Sequence, residues 1–240
     1  MTQPPGLFLR GSAWYDGTPL FSGLDLSIPA GQWTCLLGSS GVGKSTVLNL
    51  FADLAQAITF KGDLGATDGP LAGRVALMAQ DDLLMPWLTV AGNVGLGAKL
   101  RGDRADPARV SDVLARVGLG DRAMAKPSQL SGGQRQRVAL ARTLMEDRPV
   151  VLLDEPFSAL DARTRARMQE LAAELLQDRT VLLVTHDPAE AARLGHQILL
   201  MAPDAMQECQ PPPGPVPRAV DAPEVLQTQA RLLTRLREDD

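Results

Sequence analysis

Residues 33–54 read WTCLLGSSGVGKSTVLNLFADL. The first five, Trp33–Leu37, form a short apolar run that ends at glycine, the pattern of a buried strand. The next eight, Gly38-Ser39-Ser40-Gly41-Val42-Gly43-Lys44-Ser45, match G-x-x-x-x-G-K-[ST]. Thr46–Leu54 then reads as a helix rich in aliphatic residues. Strand, glycine-rich loop and helix in this order make a phosphate cradle. Glycines let the backbone wrap an anion without Cβ clashes, so that successive N–H groups point inward. The helix adds the partial positive charge of its N-terminus. Lys44 supplies a full charge for β- and γ-phosphates. Ser45 supplies a hydroxyl of the kind that Mg²⁺ takes as a hard oxygen ligand. With ordinary residue usage, a chance match in a chain of this size is roughly 1%.

A second stretch supports the first. Val150-Val151-Leu152-Leu153-Asp154-Glu155 is an apolar strand that ends in two acids. Beside a phosphate loop, such a strand places its terminal Asp in the Mg²⁺ shell. That position is Asp154. Glu155 is then placed to orient or deprotonate water near a γ-phosphate. Leu130-Ser131-Gly132-Gly133-Gln134 opens a helix with small residues, which makes a second anion-binding helix start. One nucleotide does not need two such starts in one chain, and the redundancy suggests a site shared between two copies.

Outward from these stretches, strands alternate with helices. Gly6–Arg10, Gly23–Ile28, Arg74–Ala79, Val150–Leu153, Thr180–Val184 and Gln197–Ala202 read as strands. Pro107–Val117, Gln134–Leu144 and Arg163–Leu176 read as helices with one apolar face. The expected fold is α/β, a P-loop core on a mostly parallel sheet, with an N-terminal antiparallel β portion and an inserted helical subdomain at about 83–147. Ala52–Gly73 lacks a patterned strand pair. The core domain is expected over 1–205. Residues 206–240 are expected to be a Pro-rich linker (PPPGPVPR, 211–218) and a short helical tail from about Ala222 to Glu238.

The 240 residues are 45% hydrophobic and only 4% aromatic, so the core must be mainly aliphatic. The formal net charge of -4 argues against a broad basic face for nucleic acid. Two cysteines give no disulfide framework, and Cys35 within its apolar run is expected to be a buried hydrophobe. No secretory leader is visible, and no window nears the roughly 20 apolar residues of a membrane span. The expected location is the cytoplasmic face of the inner membrane, reached through a partner.

The phosphate loop, LSGGQRQRVALAR at 130–142, VVLLDEP at 150–156, SALD at 158–161 and His186 resemble, in that order, the ATP-binding cassette (ABC) ATPases. LSGGQ is that family's signature. The resemblance covers about residues 6–202 and implies further roles. Tyr15, with Trp14 as its neighbour, resembles the aromatic that stacks on adenine. Thr46 follows Ser45 in the nucleotide contact. Gln80 resembles the glutamine that senses Mg²⁺ and the attacking water. His186 resembles the switch histidine that contacts the γ-phosphate. Asp161 resembles a residue that communicates across a dimer, whereas His196 is expected to be structural or exposed. ATP and Mg²⁺ are the implied cofactors, and Ser131, Gly132, Gly133 and Gln134 of a second copy would close over the nucleotide.

The segment Gln80-Asp81-Asp82-Leu83-Leu84-Met85-Pro86-Trp87-Leu88-Thr89-Val90 is strongly apolar for a chain leaving a strand. It reads either as packing of the helical subdomain or as an adaptable partner surface. In ABC importers this region resembles the part that receives the membrane subunits. LLMPWLTVAGNV is similar to importers of nitrate, sulfonates, taurine and pyrimidine thiamine precursors, and MAQDDLLMPWLTV looks most like the last. The implied partners are transmembrane permease subunits and, indirectly, a substrate-binding protein. Rival readings are an ABC protein acting on nucleic acid or ribosomes, or a non-hydrolysing ATP-binding regulator. The chain has no room for a long coiled coil and carries one cassette, and Glu155 with His186 argues for hydrolysis.

Overall fold

A computed structural model describes residues 4–202 and 205–238. The chain divides into two compact units. The first comprises the residues up to Leu77, Arg148–Glu155 and the chain from Gln177 on; the second comprises Met78–Asp147 and Pro156–Leu176.

In the first unit, β1 (Leu7–Tyr15) pairs antiparallel with β2 (Thr18–Ile28) and β4 (Ile58–Ala66), in the order β2-β1-β4. A second sheet has the order β5-β6-β7-β3-β8-β9. Its strands are β3 (Trp33–Leu37), β5 (Val75–Met78), β6 (Val150–Asp154), β7 (Thr180–Val184), β8 (Gln197–Ala202) and β9 (Ala205–Cys209). β3, β6 and β7 are buried along their whole length. That is why they read as unbroken apolar runs: parallel strands covered on both faces have no solvent side. β3 lies between β7 and β8 and is parallel to both. β6 is parallel to β7, and only the β8–β9 pairing at the edge is antiparallel among those described. Leu9, Phe21 and Leu26 of the first sheet share one aliphatic core with Leu36, Leu152, Leu182 and Met201 of the second, and with Val47 and Phe51 of α1 (Lys44–Phe51).

β4 is a strand where the sequence showed none. ITFKGDLGA is half exposed and interrupted by glycines, so it has no clean alternation. The glycines serve the pairing. Gly62 lies opposite Gly11, and a Cβ on Gly62 would stand 1.9 Å from the Arg10 carbonyl oxygen. The two backbones approach too closely there for any side chain.

The chain after Ala202 holds a helix where a short helical tail was expected, and a strand as well. β9 extends the sheet, and α8 (Pro223–Glu238) packs on α7 (Pro188–Leu194). Between them the Pro-rich segment is fixed by Arg218. The buried guanidinium donates to the carbonyls of Ala192 (3.1 Å) and Gly195 (2.9 Å) at the end of α7, and to Pro213 O (3.3 Å). The Arg218 carbonyl accepts from Arg193 Nε at 2.9 Å. A cation at a helix C-terminus satisfies carbonyls that have no intrahelical partner and complements the helix dipole. Cys209 Sγ accepts from Arg235 of α8 at 3.1 Å. His196 is exposed and also ties two strands' ends together: its Nδ1 accepts from the Trp33 amide at 3.1 Å, while its own amide donates to Trp33 O at 2.8 Å. Partial burial, and then Arg218, push its pKa below the usual imidazole value, which keeps Nδ1 an acceptor. Cys35 is fully buried and free, and burial pushes its thiol far up.

The second unit is helical. α2 (Val90–Val94), α3 (Leu96–Leu100) and α4 (Pro107–Arg116) precede α5 (Gly132–Leu144), and α6 (Ala162–Leu175) joins them. The helical insertion expected at about 83–147 lies within this unit, which also includes Pro156–Leu176.

Arg218→Met is expected to destabilise the chain by about 2–4 kcal/mol, because it leaves the Ala192 and Gly195 carbonyls without their buried donor. Chemical denaturation of the two chains measures the difference; equal midpoints would mean the latch contributes nothing.

Candidate functional site

The loop Gly38–Ser45 leaves β3 and enters α1. Gly41 and Gly43 have φ of 84° and 103°, the left-handed region that suits glycine. Gly38 is constrained differently. A Cβ there would lie 2.5 Å from the carbonyl oxygen of Met201 on the neighbouring β8. Gly43 is the N-cap of α1 and offers no side chain to the first-turn amides, and that turn holds no acid. The helix start is thus electropositive and uncapped, a form suited to an anion.

Lys44 is buried, and its Nζ donates to the carbonyls of Gly38 (2.8 Å) and Ser39 (2.7 Å). Burial lowers its pKa, while Glu155 and then Asp154 oppose that by favouring the cation. Asp154 at the end of β6 shows the converse. Burial raises its pKa first, a hydrogen bond from Ser45 lowers it, Glu155 raises it and Lys44 lowers it. Asp154 Oδ1 is buried with no hydrogen-bond partner among the described residues. A buried carboxylate oxygen left open beside a serine hydroxyl is a donor set that fits a hard divalent cation.

Glu155 has a feature no sequence pattern announced. Its φ is 47°, left-handed for a residue with a side chain. Its amide donates to Val184 O of β7 at 2.9 Å, which holds the chain in that turn. Strain of this kind costs about 1–3 kcal/mol and clusters at functional positions. The turn aims the carboxylate at His186: Glu155 Oε1 and His186 Nδ1 are 3.0 Å apart, with the imidazole more than half exposed and the carboxylate mostly covered. The first unit therefore brings together Lys44, Ser45, Asp154, Glu155 and His186.

Tyr15 ends β1 and is 55% exposed. It pairs with Thr18 across a tight turn, and two residues on, the Leu20 carbonyl lies 3.7 Å from where a Gly43 Cβ would be. The exposed ring thus stands on the hairpin that backs the phosphate loop. Trp14 instead lies beneath Lys61, whose Nζ is 5.8 Å from the ring centre.

The other candidates belong to the second unit. Gln80 is exposed, just past β5. Ser131 and Gln134 form a reciprocal cap on α5. The Ser131 hydroxyl accepts from Gln134 N (3.3 Å), and Gln134 Oε1 accepts from Ser131 N (2.8 Å). The expected second anion site is therefore narrower than the sequence implied: the cap occupies two amides, and those of Gly132 and Gly133 remain at the helix end without an intrahelical acceptor. A Cβ on Gly133 would lie 3.0 Å from Ala159 O, so glycine is required by packing as well. Gln136 bonds Ser158 Oγ and the Ala159 amide, fixing the SALD segment. Asp161 caps α6 by accepting from Thr164 N at 3.0 Å, which holds its pKa down.

The segment after Gln80 is fastened by α5. Arg135 Nε donates to Asp82 Oδ2 (2.8 Å), and Arg142 donates to the Asp82 and Leu83 carbonyls (both 2.8 Å). Asn93 exchanges bonds with the Met85 backbone. Leu84 is buried, whereas Leu83 and Trp87 are exposed, so the segment is partly core and partly surface. The fastening by α5 was not readable from the sequence.

Residues 21–158 match the protein family described as ABC transporter. An uncharacterized ABC transporter ATP-binding protein of Haemophilus influenzae is 43% identical over 229 residues, covering 92% of this chain and 94% of the relative. The aliphatic sulfonates import ATP-binding protein SsuB of Escherichia coli is 43% identical over 237 residues, covering 97% and 91%. Among solved structures, a dimeric ATP-binding cassette in a post-hydrolysis state, bound to ADP and Pi, superposes with a TM-score of 0.74 at 29% identity. It is matched over 85% of this chain and 99% of its own.

Lys44→Met is expected to weaken ATP binding by about 10–100-fold, the loss of charge-assisted bonds to phosphate. Thermal stability should fall little, since a buried cation is removed with its stem retained. Calorimetric titration with ATP reads the first and a melting curve the second; undiminished affinity would remove Lys44 from the phosphate site.

Proposed function

This chain belongs to the ABC transporter family of ATP-binding proteins, and we propose that it is the ATP-hydrolysing subunit of an importer, acting as a pair of copies on separate membrane-embedded permease subunits. The observation that carries this reading is the cluster in the first unit: a buried lysine inside a glycine loop, an open Asp154 oxygen beside Ser45, and Glu155 turned by its own backbone onto His186.

The chemistry is positioning and electrostatics. Backbone amides of Gly38–Thr46 and the Lys44 ammonium take the β- and γ-phosphates, with Ser39, Ser40 and Val42 as the loop's remaining amide donors. Tyr15 stacks on the base. Ser45 and Asp154 would hold Mg²⁺, which would neutralise phosphate charge when bound. Glu155 accepts a proton from, or orients, the attacking water. Its bond to His186 fixes the imidazole with Nδ1–H toward the carboxylate, which leaves Nε2 for the γ-phosphate end. Gln80 and the signature residues belong to the second unit. Gln80 is assigned as the amide that senses metal and water, and Ser131, Gly132, Gly133 and Gln134 as the residues that close over the ATP held by a second copy, the amides of Gly132 and Gly133 being the open backbone donors. ATP then favours the closed pair, and its hydrolysis removes that preference.

No helix among the described residues is long and apolar enough to cross a membrane. The proposed place of work is the cytoplasmic membrane surface, reached through the permease, with Leu83 and Trp87 exposed toward a partner. For cargo, the relatives named for aliphatic sulfonates favour a sulfonate. The string MAQDDLLMPWLTV favours a pyrimidine thiamine precursor instead.

Glu155→Gln is expected to cut turnover by at least about 100-fold while retaining an ATP-dependent dimer. Phosphate release and size-exclusion chromatography with ATP read the two properties; normal turnover would sink the assignment of Glu155. For the cargo, the subunit assembled with its permease should be stimulated by a binding protein loaded with an aliphatic sulfonate. Stimulation by a pyrimidine cargo alone would replace the sulfonate reading.

A further inference from the structure

We infer that Glu190 and Thr185 are positioning residues for His186, and that the C-terminal segment is part of the same support. This rests on the role given to His186 above. His186 follows β7, on a short link between that strand and α7. Of the residues near the histidine, Thr185 is 2% exposed and Glu190, in the first turn of α7, is 3% exposed. The Thr185 hydroxyl donates to Glu190 Oε2 at 2.7 Å. The hydroxyl oxygen, Thr185 Oγ1, in turn accepts from the Asp187 amide at 3.0 Å. One hydroxyl thus ties the residue before the histidine to the residue after it and to the helix. Thr185 is fixed at its backbone as well, since its amide donates to Leu36 O of β3 at 3.2 Å.

A buried carboxylate is costly unless it is bonded, so its presence here calls for a reason. A Leu at 190 would pack as well but could not accept the Thr185 proton. What the carboxylate does in this place is fix the turn that carries an exposed imidazole. An exposed ring on a short link has many rotamers. Only some of them put Nδ1 within 3.0 Å of Glu155 Oε1. Holding both of the ring's neighbours reduces that freedom before any nucleotide arrives.

The far end of α7 is held by the tail. Arg218 takes the Ala192 and Gly195 carbonyls, and its own carbonyl takes Arg193 Nε. The helix is therefore clamped at its start to the histidine turn and at its end to residues 213–218. That geometry gives the Pro-rich segment a task beyond packing: it fixes the helix from which Glu190 reaches back to Thr185.

The test uses the full chain, which holds only two histidines, His186 and His196. Ring ¹⁵N chemical shifts report the tautomer of each, assigned with His186→Gln. In the unaltered chain His186 should show a fixed Nδ1–H tautomer. Thr185→Val and Glu190→Leu should give averaged His186 shifts while His196 stays unchanged. Thr185→Ser and Glu190→Gln, which keep a hydroxyl or an acceptor, should restore the fixed form. Steady-state ATP turnover should fall about tenfold in kcat for Thr185→Val, with KM for ATP within about twofold. His186 shifts identical in Thr185→Val and the unaltered chain would overturn the inference, as would a change in KM alone. Should Thr185→Val not fold, Thr185→Ala carries the same comparison. The ring shifts do not depend on turnover. A chain with a fixed His186 that hydrolyses no ATP would therefore count against the proposed function and leave the support intact.

Discussion

The structure of the first unit turns on one electrostatic constraint: Lys44 must remain a cation where water does not reach it. Burial lowers its pKa, and the loop answers with two carbonyls at 2.8 and 2.7 Å and with Glu155 and Asp154 nearby. Two parts of this arrangement use uncommon backbone, the glycine loop and Glu155. The loop that supplies the Gly38 and Ser39 carbonyls passes through Gly41 and Gly43 in left-handed φ. The acids sit at the end of β6, which is parallel to β7, which in turn is parallel to β3. Parallel order is what brings the end of β6 to the same side of the sheet as the end of β3, where the loop begins. The sheet is thus a device for delivering charges of opposite sign to one end.

The cost of this arrangement is visible in several places. Asp154 keeps a buried oxygen unbonded. Glu155 bears a side chain at a φ of 47°. Lys44 gives up hydration. Each is unfavourable by about 1–3 kcal/mol, and the aliphatic core shared by the two sheets offsets them. A site of this kind is stable because the rest of the unit is ordinary: strands buried on both faces, helices with one apolar stripe, and a Pro-rich segment tied to α7. Arg218 belongs to that second category and yet reaches the site, because the helix it caps begins beside His186.

Legibility followed the length scale of the interaction. Thr180–Val184 and Gln197–Ala202 were read with their observed bounds, since a buried strand is a local apolar run. α1 begins two residues earlier than the reading from Thr46 and ends at Phe51, because Gly43 can serve as an N-cap in a left-handed conformation. β4 escaped notice since its glycines are dictated by Gly11 on a partner strand about fifty residues away. β9 and the docking of the tail were missed for the same reason: PPPGPVPR looks like a linker until Arg218 finds the end of α7. The reciprocal cap of Ser131 and Gln134 was written in a familiar spacing, but its effect on the helix-start amides becomes plain only with the bonds in view.

What the sequence determined by itself was the chemistry. G-x-x-x-x-G-K-S after an apolar run, LSGGQ before a helix, and an apolar strand ending in Asp-Glu are local patterns. Their meaning follows from the residue types, because only glycine frees the backbone and only lysine and carboxylates supply these charges. What the tertiary structure decided was the mutual placement of groups distant in the chain. The bond between Glu155 and His186 is one such case, and Arg218 at the end of α7 is another. The turn of Glu155 into left-handed φ, fixed by Val184, is a third. A hydrogen bond between residues thirty apart leaves no periodicity in the sequence, since it depends on strand order and on the path of the connecting chain, and those are set only when the whole core packs.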